Sequence, residues 1–225
     1  MKQLFDLGLH FGHLKSNLHP RSKNFIFTIT NGICIIDLEK TKASLKKAID
    51  FVKDLSKEKK IILFVGTKKQ VGEIIQREAE KINMPYVQKR FMGGTLTNFE
   101  TMQKNIKKFH EIEEKITQKE KFTKKQLIKL TKEKERLDLL LGGISKMEEL
   151  PDALFIIDVA KEKNALLEAN RLGIPIIAIL DTNGDASKVD FPIYGNDDSV
   201  RGVEFILQTI VDAYSKPKME KKSAK

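Results

Sequence analysis

The chain has no tryptophan, one cysteine and six prolines among 225 residues. It has no run approaching the ~18 consecutive apolar residues of a membrane span. A single thiol excludes an intramolecular disulfide framework and any zinc site built on paired cysteines. That thiol, Cys34, sits in the apolar run Ile33-Cys34-Ile35-Ile36, which predicts a buried, inert side chain. The opening residues, Met1-Lys2-Gln3-Leu4-Phe5-Asp6, lack the long apolar segment of a secretory signal. Together these features predict a soluble intracellular protein with no membrane partner. Acidic residues are also in deficit. Lys and Arg number 41 against 31 Asp and Glu, a formal net charge of +10. A basic excess of that size favours polyanionic partners, though charge alone does not separate RNA, DNA and anionic membrane.

What is present is a series of short apolar runs, most followed by a helical pattern. Residues 25–30 and 33–38 read as two strands joined at Thr30-Asn31-Gly32, because Asn-Gly tolerates the positive φ of a tight turn. Residues 39–57 carry Leu45, Ile49, Val52 and Leu55 at helical spacing. Ile61 to Val65 is uninterrupted and apolar, the mark of a strand buried on both faces in a parallel sheet. A helix over 68–82, a short strand over 84–88, strands at 153–159 and 174–180 with a helix at 161–172 between them, and a last helix at 198–214 complete the pattern. Alternating β and α units imply a doubly wound α/β body, a parallel sheet flanked by helices.

Residues 99–149 break the alternation. Phe99, Met102, Ile106, Phe109, Ile112 and Ile116 recur every three or four positions. So do Leu127, Leu130, Leu137, Leu141, Ile144 and Met147, with Lys134 interrupting the row. Two narrow apolar stripes around a polar connection predict an inserted antiparallel coiled-coil hairpin. Its lysines, among them Lys104, Lys107, Lys108, Lys124 and Lys125, outnumber its acids. The expected division is an α/β body over 1–98 and 150–215, a hairpin over 99–149 as a separable arm, and a disordered basic tail over 216–225.

Four groups of residues have a chemistry to weigh. Gly66-Thr67-Lys68-Lys69 follows a buried strand and opens a helix, a geometry that can hold phosphate. It is neither a Walker A loop nor Gly-x-Gly-x-x-Gly, so a plain turn with solvated lysines, or lysines on RNA phosphate, fits as well. Arg90-Phe91-Met92-Gly93-Gly94-Thr95-Leu96-Thr97-Asn98 combines a guanidinium, two glycines that permit close approach, and short polar groups. It reads either as a contact loop or as the entry to the hairpin, with Thr97 or Asn98 as helix cap. Lys15, His19, Arg21 and Lys23 make a basic run that is either phosphate-binding or solvated. His10, His13, Asp181, Asp197 and Asp198, with Asp185 nearby, are candidate zinc or magnesium ligands at a sheet edge. The competing reading gives the aspartates helix-capping roles and the histidines structural hydrogen bonds. No metal is expected to be required, and no cofactor.

Several stretches together resemble the bacterial-type ribosomal S-two family of the small subunit. They are Gly8-Leu9-His10-Phe11-Gly12-His13, Asn31-Gly32-Ile33-Cys34-Ile35-Ile36-Asp37-Leu38-Glu39-Lys40-Thr41, Ile62-Leu63-Phe64-Val65-Gly66-Thr67-Lys68-Lys69 and Gly93-Gly94-Thr95-Leu96-Thr97-Asn98-Phe99. Further on come Leu141-Gly142-Gly143-Ile144, Leu150-Pro151-Asp152-Ala153-Leu154-Phe155, Asp181-Thr182-Asn183 and Gly195-Asn196-Asp197-Asp198. They run in the family's order from residue 8 to about 202. The chain departs at Asn17-Leu18-His19-Pro20, where the family has Trp-Asn-Pro. It departs again at Arg90-Phe91-Met92, where the family has Arg-Trp-Leu and where phenylalanine keeps a stacking face. The resemblance implies a Rossmann-like or flavodoxin-like sheet with a protruding coiled coil. It implies a structural, non-enzymatic protein of the small subunit, in the cytoplasm or an organelle. It also implies contact with small-subunit ribosomal RNA and neighbouring proteins, and docking of the large OB-fold protein S-one. On that reading the loop from Arg90 to Asn98 contacts RNA. Two other readings stand beside it: a nucleotide-dependent enzyme on the same sheet, and a protein-docking module.

Overall fold

The computed structural model describes residues 1–215, apart from the side chain of Lys119. The expected basic tail at 216–225 lies outside the described residues. A short helix α1 (Lys2–Asp6) leads into a three-stranded antiparallel sheet of β1 (Phe11–Leu14), β2 (Ile26–Thr30) and β3 (Ile33–Ile36), in the order β1-β3-β2. The turn between β2 and β3 is the one the Asn-Gly pair demands, with φ of 51° at Asn31 and 79° at Gly32. Asp37 stops β3 and starts α2 (Leu38–Lys57), its carboxylate accepting from the backbone N–H of Glu39 and Lys40.

The second sheet is parallel and five-stranded. Its members are β4 (Ile62–Val65), β5 (Tyr86–Val87), β6 (Ala153–Ile157), β7 (Ile176–Leu180) and β8 (Phe191–Tyr194), in the order β5-β4-β6-β7-β8. The helices α3 (Gly72–Lys81), α4 (Phe99–Thr117), α5 (Lys124–Leu141), α6 (Lys163–Leu172) and α7 (Val200–Ser215) follow in chain order. The sheet has a core on each face, and the strands feed them alternately. Ile62, Phe64, Phe155, Ile177 and Ile179 point to the side carrying α2, α3 and α7. Leu63, Val65, Leu154, Ile156, Ala178 and Leu180 point to the side carrying α6 and the hairpin root. The α/β class and the central parallel sheet are thus as the pattern predicts.

Two strands were not legible. β1 is four residues long and contains Gly12; β8 contains Pro192, a residue that argues against a central strand. Both are explained by position. Pro192 lies on the outer edge of the parallel sheet, where its missing N–H breaks no ladder. Gly12 is needed because β1 presses on the end of β7. A Cβ there would stand 2.6 Å from Thr182 Cγ2 and 3.0 Å from the Cys34 carbonyl oxygen.

In the hairpin, α4 and α5 pack on each other, and Thr123 and Gln126 form a capping box at the second helix. Lys134, the residue that interrupts the apolar row, reaches Glu113 at 3.1 Å, and Lys108 reaches Glu133 at 3.0 Å. The hairpin root is not independent of the body. Met102, Ile106, Phe109, Leu141, Ile144 and Met147 are buried in the same core as Leu63, Leu154 and Phe91. Gly143 makes this seam possible, since a Cβ there would fall 2.2 Å from the Tyr86 carbonyl oxygen. Only the distal turns, which carry exposed Ile128 and no buried side chain beyond Ile112, stand clear of the core.

Candidate functional site

The chain leaves β4 toward β5 on one side and reaches β6 on the other, so the switch point of the sheet lies between β4 and β6. In open α/β sheets, ligands gather in the crevice beyond the strand carboxyl ends at such a point. Four loops meet there: Gly66-Thr67-Lys68 after β4, Asp158 after β6, Asp181-Thr182-Asn183 after β7, and Gly195-Asn196-Asp197-Asp198 after β8. Asp158 adopts a left-handed φ of 66°, unusual for a side-chain-bearing residue.

The crevice is filled by the chain itself. Glu162 accepts from the Thr67 N–H at 3.0 Å and from the Thr67 hydroxyl at 2.5 Å. Those donors are the ones a phosphate at this turn would need. Lys68 Nζ lies 2.6 Å from Asp197, 2.7 Å from Asp198 and 3.0 Å from Asp158. Burial pulls the Lys68 ammonium toward neutrality, but the carboxylates, Asp197 foremost, outweigh it and hold it above the ordinary lysine range. Burial, seconded by Asp158, pushes Asp197 up to about 7. Burial likewise raises Glu162, against its bonds to Thr67. Carboxylates crowd this edge, and Glu162 already holds the Thr67 donors. The Thr67 donors and the Lys68 ammonium are thus engaged within the chain, the latter by three carboxylates.

The candidate metal ligands divide. His13, Asp181 and Asp197 each bring a ligand atom within 4.8 Å of the others. Asp198 flanks them, its carboxylate 3.7 Å from His13 Nε2. The Asp181 contact, against the opposing effect of burial, raises the His13 pKa. His10 is elsewhere. Its ring stacks on Phe5 at 4.2 Å and touches Phe11 at 4.0 Å, burial lowers its pKa, and it is not part of the cluster. Asp185 caps a 3-10 turn at Ser187 and pairs with Arg21 at 3.7 Å.

The candidate RNA contacts also sort themselves. In the glycine loop, Glu168 accepts from the N–H groups of Gly94 (2.6 Å), Leu96 (2.9 Å) and Thr97 (3.0 Å), and from the Thr97 hydroxyl (3.1 Å). Thr95 is buried and donates to the Met92 carbonyl. Phe91 is buried in the core beneath, so it is not the exposed stacking face expected of it. Asn98 occupies the cap position of α4 without a side-chain capping bond. Arg90, Gly93, Thr97 and Asn98 remain at the surface, with Gly94 half-buried. In the basic run, His19 caps the following turn by accepting from the Arg21 N–H, and Arg21 also touches Ser187. Lys15, Lys23, Lys69, Lys104, Lys107, Lys124 and Lys125 are exposed and make no ion pair among the described residues. Lys108 is exposed but paired with Glu133.

Asp158, Glu162, Glu168 and Thr182 organise these sites, and sequence reasoning missed all four. A signal existed for Asp158: like Asp181, which the sequence did single out, it stands directly after a buried parallel strand, where the carboxyl edge must fall. Thr182 ties the N-terminal sheet to that edge. Its hydroxyl accepts from the His13 N–H at 2.9 Å and its carbonyl from the His19 N–H at 2.9 Å.

Among the described residues no helix is long and apolar enough to cross a membrane. A family model described as Ribosomal protein S2 matches residues 4–216. That span takes in both sheets, the hairpin and the acidic edge, in agreement with the ordered stretches read from the sequence. The chain belongs to the ribosomal protein S2 family, structural proteins of the small ribosomal subunit that serve in translation.

Proposed function

We propose that the protein binds small-subunit ribosomal RNA as a structural, non-catalytic component, and that its exposed cations make the phosphate contacts. One contrast supports this reading above the others. Lys68, at the edge where an α/β enzyme would hold its ligand, is neutralised internally, whereas Lys104, Lys107, Lys124 and Lys125 stand in solvent without acidic partners among the described residues. Lysines so placed release counterions when they meet phosphate, which is the main source of sequence-independent affinity for nucleic acid. Lys15, Lys23, Lys69 and Arg90 extend the footprint, and Gly93, Thr97 and Asn98 offer backbone and short polar contacts of the kind that fix register. The distal hairpin acts as an arm reaching from a body formed by the two sheets.

A protein-docking role accompanies this one. Phe5, Phe11, Leu14 and Phe27 are exposed apolar side chains of the N-terminal segment, with Phe27 75% accessible. Exposed apolar residues concentrated in one segment suit a protein neighbour. In the ribosome this segment would meet adjoining small-subunit proteins, the OB-fold protein S-one among them.

Filter binding with deproteinised small-subunit RNA, run beside equilibrium dialysis with ATP and NAD, tests the reading. Saturable RNA binding with no stoichiometric nucleotide binding is the expected result. One equivalent of bound ATP or NAD, or RNA binding no stronger than to an unrelated structured RNA of equal length, would contradict it.

A further inference from the structure

We infer that Glu168 makes the glycine loop over 93–98 read RNA rather than DNA, by turning the Thr97 hydroxyl into a hydrogen-bond acceptor for a ribose 2′-hydroxyl. This rests on the RNA-binding reading and names the chemical group that the loop recognises.

The loop is held from two sides. Beneath it, Phe91 and Leu96 are buried in the same core as Ala165, Leu166 and Ala169 of α6. Beside it, the half-buried Glu168 of α6 gathers its polar groups. Glu168 Oε1 accepts from the Gly94 N–H at 2.6 Å. Oε2 accepts from the N–H groups of Leu96 at 2.9 Å and Thr97 at 3.0 Å, and from the Thr97 hydroxyl at 3.1 Å. Gly94 supplies the left-handed φ of 85° at the bend. A carboxylate gathered by three backbone N–H groups takes the place of an anion in a backbone nest. Phosphate is therefore denied these donors, and it is repelled by the carboxylate that holds them.

The direction of the Thr97 hydroxyl bond follows from chemistry. A carboxylate only accepts, so the hydroxyl proton must be the one donated. A hydroxyl has a single proton and two lone pairs, so the exposed Thr97 presents lone pairs alone to a partner. The loop's other hydroxyl, on Thr95, is buried and donates to the Met92 carbonyl at 2.6 Å. A group that pairs with Thr97 must bring its own hydrogen. Along a nucleic-acid backbone the phosphate and ring oxygens bring none. The 2′-hydroxyl brings one, and RNA alone carries it. Base amines also bring hydrogens, but RNA and DNA share those. Lys89 and Arg90, exposed just before the loop and without an ion pair among the described residues, draw phosphates to it, and with them the sugars between. The hairpin lysines bind phosphate in either nucleic acid, so discrimination falls to this loop.

The test uses the full chain and small-subunit ribosomal RNA transcribed with sparse, random 2′-deoxy substitutions. Bound and free RNA are separated, and each ribose is scored for the cost of losing its 2′-hydroxyl. For wild type, at least one ribose should show a loss of roughly two- to ten-fold, the worth of one neutral hydrogen bond. Thr97→Val should erase the effect at that ribose and leave it at others, whereas Thr97→Ser should keep it. Glu168→Gln should erase it too, because an amide can donate to Thr97 and free its proton to point outward. A variant that merely weakened the fold would lose affinity at every position alike and leave the map unchanged. Because Thr97 is exposed, Thr97→Val decides the matter even if Glu168→Gln folds poorly. Identical maps for wild type and Thr97→Val, or a wild type that binds the RNA with no sensitivity to deoxy substitution, would overturn the inference alone. A wild type that does not bind the RNA would overturn the RNA-binding reading with it.

Discussion

Reversing four hairpin lysines, Lys104→Glu, Lys107→Glu, Lys124→Glu and Lys125→Glu together, should flatten the salt dependence of RNA binding. Each phosphate contact contributes roughly 0.7 to 0.9 to the slope of log affinity against log salt, so losing four should reduce that slope by about 3. Between 50 and 200 mM salt, the gap between wild type and variant should then narrow by about sixty-fold. Stability should barely change, because all four side chains are exposed and unpaired, and exposed charges contribute little to folding. Lys108 is left out for a physical reason: it already holds Glu133 at 3.0 Å, and reversing it would set two carboxylates face to face. Shortening the arm must likewise spare its root, since Ile106, Phe109, Leu141 and Ile144 are core residues. Parallel salt slopes for variant and wild type would show that the hairpin does not touch phosphate.

The largest loss of stability should come from Lys68→Met. The side chain is 18% exposed and its ammonium faces three carboxylates, of which Asp197 is 2% exposed and Asp198 is 63% exposed. Removing one partner of a buried ion pair leaves an uncompensated charge, which typically costs about 3–5 kcal/mol. Most of that falls on Asp197 and Asp158, because solvent screens Asp198. Urea unfolding reads the effect. Adding Asp197→Asn to Lys68→Met should recover part of the loss, since it removes a charge left unpaired. A loss below about 1 kcal/mol, with RNA affinity falling instead, would mean that Lys68 swings outward to phosphate, as its place in the sequence suggested.

That difference over Lys68 shows where sequence reading stops. Periodicity reports which face of an element is buried, and it placed the central strands, the Asn31-Gly32 turn and the helix after Asp37 within a few residues. The two hairpin stripes were legible for the same reason, as local patterns, whereas the equally local capping box at Thr123 went unread. The partners of Lys68 are not local. Asp197 and Asp198 lie 129 and 130 positions away, and only the sheet order β5-β4-β6-β7-β8 brings them to its ammonium. Glu168 is hidden in the same way, since its backbone donors lie 71 to 74 positions earlier. β1 and β8 escaped notice because Gly12 and Pro192 break the composition of a strand, and only an edge position or a close packing contact makes those residues acceptable. Phe91 illustrates the converse: it stands where the family has Trp and was read as keeping a stacking face, while its contacts make it core.

Sedimentation tests the central claim most directly. A cell extract containing the tagged full chain is separated on a sucrose gradient at low magnesium, where the ribosomal subunits come apart. The protein should peak with the small subunit in stoichiometric amount, and the four-lysine reversal should move it toward the top of the gradient as salt is raised. A wild-type protein that stays at the top of the gradient, or that travels with the large subunit, would contradict the account.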